Sequence, residues 1–432
     1  MLAVLRIALR NLLLHRERGL LLLCVISGAS ALLVGVMALK SGVAATQREV
    51  VTTFLSGDLN IGGYFKVHPD SIAPVIGDAP RVRAVVEPLL PAECRLRERG
   101  RGQATAGAGR HRVGSFMMGL DVTREQESLA HFKVKDGALL SLEKPRTVAF
   151  SSQLADRLHV KRGDITTLFT KTTGGKRNAL DVEVVAITER AGLLGESAGI
   201  LVSNATLREL GGYRPEAAGV FQLACGETTD VDALGGRLRE ALRQAGFEVL
   251  PASNEAYGDK LAPLLREGWA GQRLDVSTWE DESSFLAFIT DGLSALTLLV
   301  GAIVFGIVVV GLFVSLSVAV RERTREIGTL RAMGMQRTAV VGMFVLEGLL
   351  LGLLASSLGA CLAAALCTFL QGSVSLPEPL AGFLFSDTLP LAPRLSQAVS
   401  AVLLVTLGAG LASILPAARA AYLPPRSAME SL

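Results

Sequence analysis

Four long apolar runs divide the chain: Leu20–Leu39, Phe285–Val320, Ala339–Leu370 and Leu395–Leu415. Each has at least about the 20 residues a helix needs to cross a ~30 Å hydrocarbon layer. The pattern therefore predicts four spanning helices. Phe285–Val320 is longer than a bilayer requires. At ~1.5 Å per residue it would run near 50 Å, so its first turns are expected to project as a stalk. Between the first two runs, from about Lys40 to Asp281, polar and apolar positions mix. That stretch is large enough for one or two domains. The predicted order is a terminal segment (1–19), a first span (20–39), a mixed domain (40–282), a second span with its stalk (283–320), a charged turn (321–338), a third span (339–370), a loop (371–394), a fourth span (395–415) and a tail (416–432).

Within the mixed domain the local signals alternate. Val82–Val86, Ile165–Phe169, Asp181–Ile187, Ile200–Ser203, Gly219–Cys225 and Phe247–Leu250 are predicted strands. Ser151 is placed to cap a short helix carrying Leu154 and Leu158, ended by the turn Lys161-Arg162-Gly163-Asp164. Asp230 is placed to cap a helix with Val231, Leu234, Leu238, Leu242 and Ala245 on one stripe and Gly246 as its stop. Helices and strands so mixed predict an α+β domain. The fold class expected is a polytopic α-helical membrane protein: four transmembrane helices and a large α+β domain between the first and second.

Half of the residues are hydrophobic and 19% are charged, a balance that favours spans over a soluble fold. The net charge of +3 gives no argument for nucleic acid. Its distribution is informative. Arg6, Arg10, Arg16 and Arg18 precede the first span, Arg419 and Arg426 follow the last, and 371–394 is nearly free of Lys and Arg. The positive-inside rule then predicts both termini in the cytoplasm and the mixed domain outside. The first apolar run is long for a signal-peptide core, so an anchored helix is expected there. Of five cysteines, Cys24, Cys361 and Cys367 lie in apolar runs as packing residues. Cys94 and Cys225 lie in the mixed domain. A disulfide between them requires an oxidising compartment, and two cysteines alone leave the pairing open.

The charged turn, Arg321–Met335, reads RERTREIGTLRAMGM. Ile327, Leu330 and Met333 recur every three residues as one face of a short helix, and Gly334 is its expected stop. The string RTREIGTLRAMG resembles the cytoplasmic loop of FtsX-like permeases, a group that includes lipoprotein-releasing permeases and macrolide-exporter-type ABC transporters. The tail PAARAAYLPPRSAMESL resembles the family's ending, and GLDVTREQES and LADRLHVKRGDITTLF resemble its outer domain more weakly. The resemblance implies a coupling helix docking on an ATP-hydrolysing subunit, a role carried here onto Arg325, Glu326, Ile327, Gly328, Leu330, Arg331, Ala332 and Gly334. It also implies a bacterial inner-membrane location, a second permease copy or homologue, an extracytoplasmic or lipoprotein partner, and contact with membrane lipids. The bland reading is a solvated loop obeying the positive-inside rule.

Two features of the third span add to this. Gly348, Gly352, Ser356, Ala360 and Ala364 repeat every four residues, a spacing that lets helix backbones approach in lipid, either within one bundle or at a dimer seam. Glu347 interrupts the same run about two turns from its start, where an acid needs a partner or water. An arginine of the charged turn is one candidate, and a role in transduction follows if it pairs there.

Other chemistry is poorly supported. No G-x-x-x-x-G-K-[ST] loop exists, so ATP and magnesium are expected on a partner chain, with no cofactor bound by this one. Gly195-Glu196-Ser197-Ala198-Gly199 fits G-x-S-x-G, but a strand follows where a hydrolase needs a helix. The histidines are scattered and none begins H-E-x-x-H, so no metal site is expected. Arg95, Arg97, Arg99, Arg101, Arg110 and Arg112 form a basic, glycine-rich patch, read as a solvated hairpin tip or a surface for anionic headgroups. The function expected is that of a permease subunit, with lipoprotein release ahead of lipid, peptide or drug export. A scaffold that activates a cell-wall hydrolase is the alternative, and a serine hydrolase using Ser197 a more distant one.

Overall fold

A computed structural model describes residues 16–68, 71–130, 132–189, 199–226, 228–377, 380–381, 384 and 386–422. The chain forms two compact units. The first comprises residues 1–45, 288–377 and 387–432, the second residues 46–287 and 378–386.

Helix α1 (Arg16–Val50) is the first element among the described residues. It carries the predicted first span but runs on well past Leu39. A π-helical turn, Val51–Leu55, then closes it. The second unit follows with strands β1 (Leu59–His68) and β2 (Ser71–Ala73), helix α2 (Ala79–Val86), β3 (Arg95–Ala108), β4 (His111–Leu120), α3 (Gln126–Leu129), β5 (Val134–Gly137), β6 (Thr147–Ser151), α4 (Ser152–Leu158), β7 (Ile165–Lys171), β8 (Arg177–Thr188), β9 (Ile200–Ser203), α5 (Asn204–Gly211), β10 (Val220–Ala224), α6 (Val231–Gln244), β11 (Glu248–Val249), α7 (Leu261–Arg266), β12 (Gly271–Thr278) and α8 (Trp279–Glu282). The first unit resumes with the long helix α9 (Ala287–Glu322), a short helix α10 (Thr324–Ala332), α11 (Arg337–Leu370) and α12 (Leu395–Tyr422).

In the second unit one sheet runs β11-β12-β1-β10-β3-β4-β9-β6-β8-β5, with β2 against β1 and β7 against β3 and β8. Its unifying strand is β3. Arg95–Arg99 pair antiparallel with β10, while Gly100–Ala108 pair antiparallel with β4. Among the described residues, the two largest apolar cores of this unit form on the strand faces. One gathers Leu59, Ile61, Phe221, Leu223, Leu274 and Val276 beneath α2 and the Leu234–Leu238–Leu242 stripe of α6. The other packs Phe150, Val182, Val184 and Ile200 against α4 and α5. Ser151 and Asp230 cap α4 and α6 by accepting hydrogen bonds from Leu154 N and Ala233 N. Cys94 and Cys225 are joined by a disulfide beside the β3–β10 ladder.

Two readings of the sequence are corrected here. Val82–Val86 is helical, not a strand. Asp78 accepts from Arg81 N, Pro80 sits in the first turn, and Val82 and Val86 point one helical turn apart into the core with Leu234 and Leu238. Capping and the four-residue spacing override the β-preference of valine. The basic patch is also not one solvated surface. Arg110 and Arg112 are exposed around the turn at Gly109, whose φ is +55°, but Arg99 is buried and Arg97 and Arg101 are half-buried.

In the first unit, α1, α9, α11 and α12 are each long and apolar enough to cross a membrane. Each buries one stripe, such as Ile26, Val308, Leu351 and Val405, and exposes the remainder, for example Leu298, Ile303, Val310 and Leu362. An apolar stripe inside and an apolar surface outside suit a lipid solvent. At ~1.5 Å per residue, α9 extends about 54 Å, and α1 is nearly as long. Both exceed a bilayer's thickness, whereas the sequence reading gave a stalk to the second span alone.

Candidate functional site

The turn between α9 and α11 is built from its charged residues outward. Thr324 Oγ1 donates to Val320 O and Arg321 O at 3.0 and 2.9 Å, closing the end of α9. Arg323 then becomes the N-terminal cap of α10, and Ile327 N bonds Arg323 O at 3.0 Å. The helix ends where Gly334 takes φ +98°, a left-handed conformation that glycine adopts at little cost. Gln336, in extended conformation, opens α11 at once.

The eight residues of the predicted coupling run divide by face. Ile327 is 2% exposed and packs with Leu316, Val320, Phe344, Ala417 and Ala421, so α10 is rooted among the ends of α9, α11 and α12. Gly328 is buried beside it, whereas Arg325, Glu326 and Gly334 face solvent and Arg331 is half-buried. The side chains of Leu330 and Ala332 lie outside the described residues. The three-residue stripe does not continue to Met333, which is 76% exposed. The helix ends at Ala332, so Met333 sits in the cap and turns away from the face that buries Ile327.

Glu347 meets the turn. Its Oε2 lies 3.5 Å from Arg323 Nη1, with both side chains largely shielded. The arginine is the cap of α10 and the acid is in α11, so the pair fixes the start of the short helix against the third span. Two cation–π contacts extend this belt: Arg337 over Tyr422 at 5.0 Å and Arg419 over Phe313 at 5.9 Å. The sequence places Arg323 on the charged surface of the turn, whereas it is buried against Glu347; Phe313 and Tyr422 were not singled out. Basic residues flanking aromatic ones at span ends were the available signal.

The small-residue stripe of α11 faces the bundle interior. A Cβ on Gly348 would come within 1.9 Å of Ser413 Oγ, and one on Gly352 within 2.6 Å of Ala409 Cβ, both in α12. Ser356 O accepts from Ser30 Oγ of α1 at 3.0 Å. Ala360 is buried with Leu33 and Ala401, and Ala364 is half-buried. A residue of α11 outside the stripe also approaches a neighbouring backbone closely: a Cβ on Gly359 would fall 2.1 Å from Ser27 O.

Among the described residues, no three His, Cys, Asp or Glu side chains gather to hold a metal ion. His111 and His159 do meet, edge to face with centroids 4.8 Å apart, as a pair. Ser197 and its flanking residues 190–198 lie outside the described residues.

Residues 298–425, which contain α10 and most of the bundle, match the family model described as FtsX-like permease C-terminal. No curated protein matches the chain. Among solved structures, the chain is similar to the extracellular domain of the noncanonic ABC-type transporter YknZ from Gram-positive bacteria, at 15% identity over 43% of this chain and 92% of that one, with a TM-score of 0.28. It is also similar to the periplasmic region of MacB from Actinobacillus actinomycetemcomitans, at 10% identity over 53% of this chain and 92% of that one, with a TM-score of 0.31. Likeness at that level fixes neither chemistry nor cargo. The family likeness thus rests on residues 298–425, the stretch that carries α10 between two long apolar helices, and there it is to the C-terminal region of FtsX-like permeases.

Proposed function

We propose that this chain is the transmembrane subunit of an ABC transporter whose ATPase is a separate cytoplasmic protein, and that α10 is the element the ATPase drives. The carrying observation is the two-sided character of α10: Ile327 and Gly328 are buried in the bundle while Arg325 and Glu326 are presented to solvent. A helix rooted on one face and free on the other can pass a push into the spans it joins. On this reading the second unit lies outside the cytoplasm. The Cys94–Cys225 disulfide supports that side, because such bonds persist in oxidising compartments. A second copy or homologue completes the assembly, with lipoprotein release as the favoured task and lipid, peptide or drug export behind it.

The test is a charge reversal on the exposed face. Glu326→Lys is expected to lower co-purification of the ATPase, and ATPase activity of the reconstituted complex, by roughly tenfold, on the scale of one lost interfacial charge pair. Glu326→Gln separates docking from helix stability, since an acid in the first turn also contributes ~0.3–1 kcal/mol to the helix. Unchanged association and unchanged activity in the lysine variant would remove α10 from the interface.

A further inference from the structure

The arginines of β3 supply an arrangement that the coupling turn does not explain. Arg97, Arg99 and Arg101 stand two residues apart and so share one face of the strand. Against that face lies the π-helical turn Val51–Leu55, the end of the helical stretch that begins as α1. A helix end leaves carbonyl oxygens without intrahelical donors, and they carry partial negative charge. The arginines meet these oxygens in order. Arg97 Nη2 donates to Thr52 O at 3.3 Å, Arg99 Nη1 to Thr53 O at 2.7 Å, and Arg101 Nη2 to Leu55 O at 3.4 Å. Gln222 of β10 adds a bond to Leu55 O at 3.0 Å.

Two of the guanidinium groups are anchored a second time. Arg99 donates from Nε and Nη2 to Glu125 Oε2 at 2.9 and 2.8 Å, with both side chains buried. Arg101 Nη1 bonds Glu282 Oε2 at 3.0 Å, and Ser277 of β12 holds the other oxygen of Glu282 at 2.6 Å. Glu282 belongs to α8, which carries a Thr278–Asp281 capping box and leads into α9. Arg101 thus touches both the exit of α1 and the approach to α9. Burial, and next the neighbouring Arg99, pull Arg97 down to about 10. Three guanidinium groups side by side, one buried and two half-buried, carry a desolvation cost that calls for a further reason.

We infer that Arg97, Arg99 and Arg101 form a transmission joint, in which Arg101 fastens the π-helical turn that closes α1 and the short helix α8 that leads to α9 to the same strand. A displacement arriving along either helix then turns the sheet as a body instead of flexing the connections. The purpose of the joint rests on the permease reading above, but its existence does not. These are positioning residues, with no claim on cargo.

The test uses the intact chain in lipid nanodiscs with Arg101→Gln, Glu282→Gln and the double variant, read by amide hydrogen exchange. Each single change is expected to speed exchange at least roughly tenfold in both 51–57 and 283–290, with β6 and β9 unaffected, and the double change is expected to add little beyond either single. Acceleration at only one of the two places, or additive effects, would overturn the joint. Should Arg101→Gln unfold the second unit, Glu282→Gln leaves all three arginines in place and carries the same expectation. A second arm adds the ATPase. Hydrolysis is expected to stay within about twofold in Glu282→Gln, while any ATP-dependent change in exchange of the β3–β4 hairpin seen in the unmodified complex disappears. No such change in the unmodified complex counts against the permease reading; its persistence in Glu282→Gln counts against the joint.

Discussion

Lys260 donates to Asp275 Oδ2 at 2.8 Å, with both side chains almost wholly shielded from water. Burial raises the Asp275 carboxyl above its ordinary value of 3.8, outweighing the pull of Lys260. A carboxyl raised in the folded state binds its proton more tightly there than in the unfolded chain. Its contribution to stability is therefore greatest below pH 3.8 and is lost as pH rises through the folded value. The stability of the unmodified chain relative to Asp275→Asn is expected to fall across that window; a rise would contradict the assignment. Asp275→Ala strands a buried ammonium and is expected to cost about 3–5 kcal/mol. Both tryptophans, Trp269 and Trp279, lie in the second unit, so fluorescence melting of the intact chain reads it alone. At this scale the sequence was a partial guide. Glu347 next to a basic turn is an acid in search of a partner, and Arg323 supplies it. The arginines of RLRERGRG looked solvated, because nothing in their own stretch announces the helix end, remote in sequence, whose carbonyls they meet.

Among elements, the apolar runs were the most legible, since twenty or more apolar residues admit few structures besides a spanning helix. Capped helices came next: Ser151 and Asp230 act locally, and local rules suffice for them. Strand β1, LNIGGYFKVH, was missed because its paired glycines suggest a turn. In the sheet Gly63 lies where a Cβ would strike Val75 O at 2.5 Å. The stripe in α11 showed that backbones approach, but only the folded bundle reveals which do. Gly359→Ala would drive a Cβ to 2.1 Å from a backbone oxygen of α1 that has no rotamer to escape into. It is expected to destabilise the bundle by about 1–3 kcal/mol. Gly306→Ala, with nothing within 4 Å of its Cβ, is expected to be neutral or mildly stabilising. Thermal stability of the two variants in the same detergent checks the contrast.

For the whole molecule, the order of spans and mixed domain follows from hydropathy and the placement of arginines, because lipid imposes its requirement on every residue of a span. The topology of the sheet was not readable, since its order depends on pairings between strands distant in the chain. The disulfide belongs to this scale too. It closes a loop across 131 residues, for which chain-entropy reasoning gives about 5 kcal/mol, while disulfides typically deliver roughly 2–4 kcal/mol. Cys94→Ser with Cys225→Ser is expected to lower the tryptophan-read melting of the second unit by roughly 5–15 °C. No shift would mean that the bond does not constrain the unfolded chain.

Strand β3 has its arginines near one end and an exposed turn at the other. From Arg101 to Ala108, at ~3.3 Å per residue, the reach is about 23 Å. A tilt of roughly 10° at the arginines would sweep the far tip by about 4 Å over that reach, more than a hydrogen bond's length. A small rotation at one end of a stiff pointer becomes, at the other, a step of several ångströms.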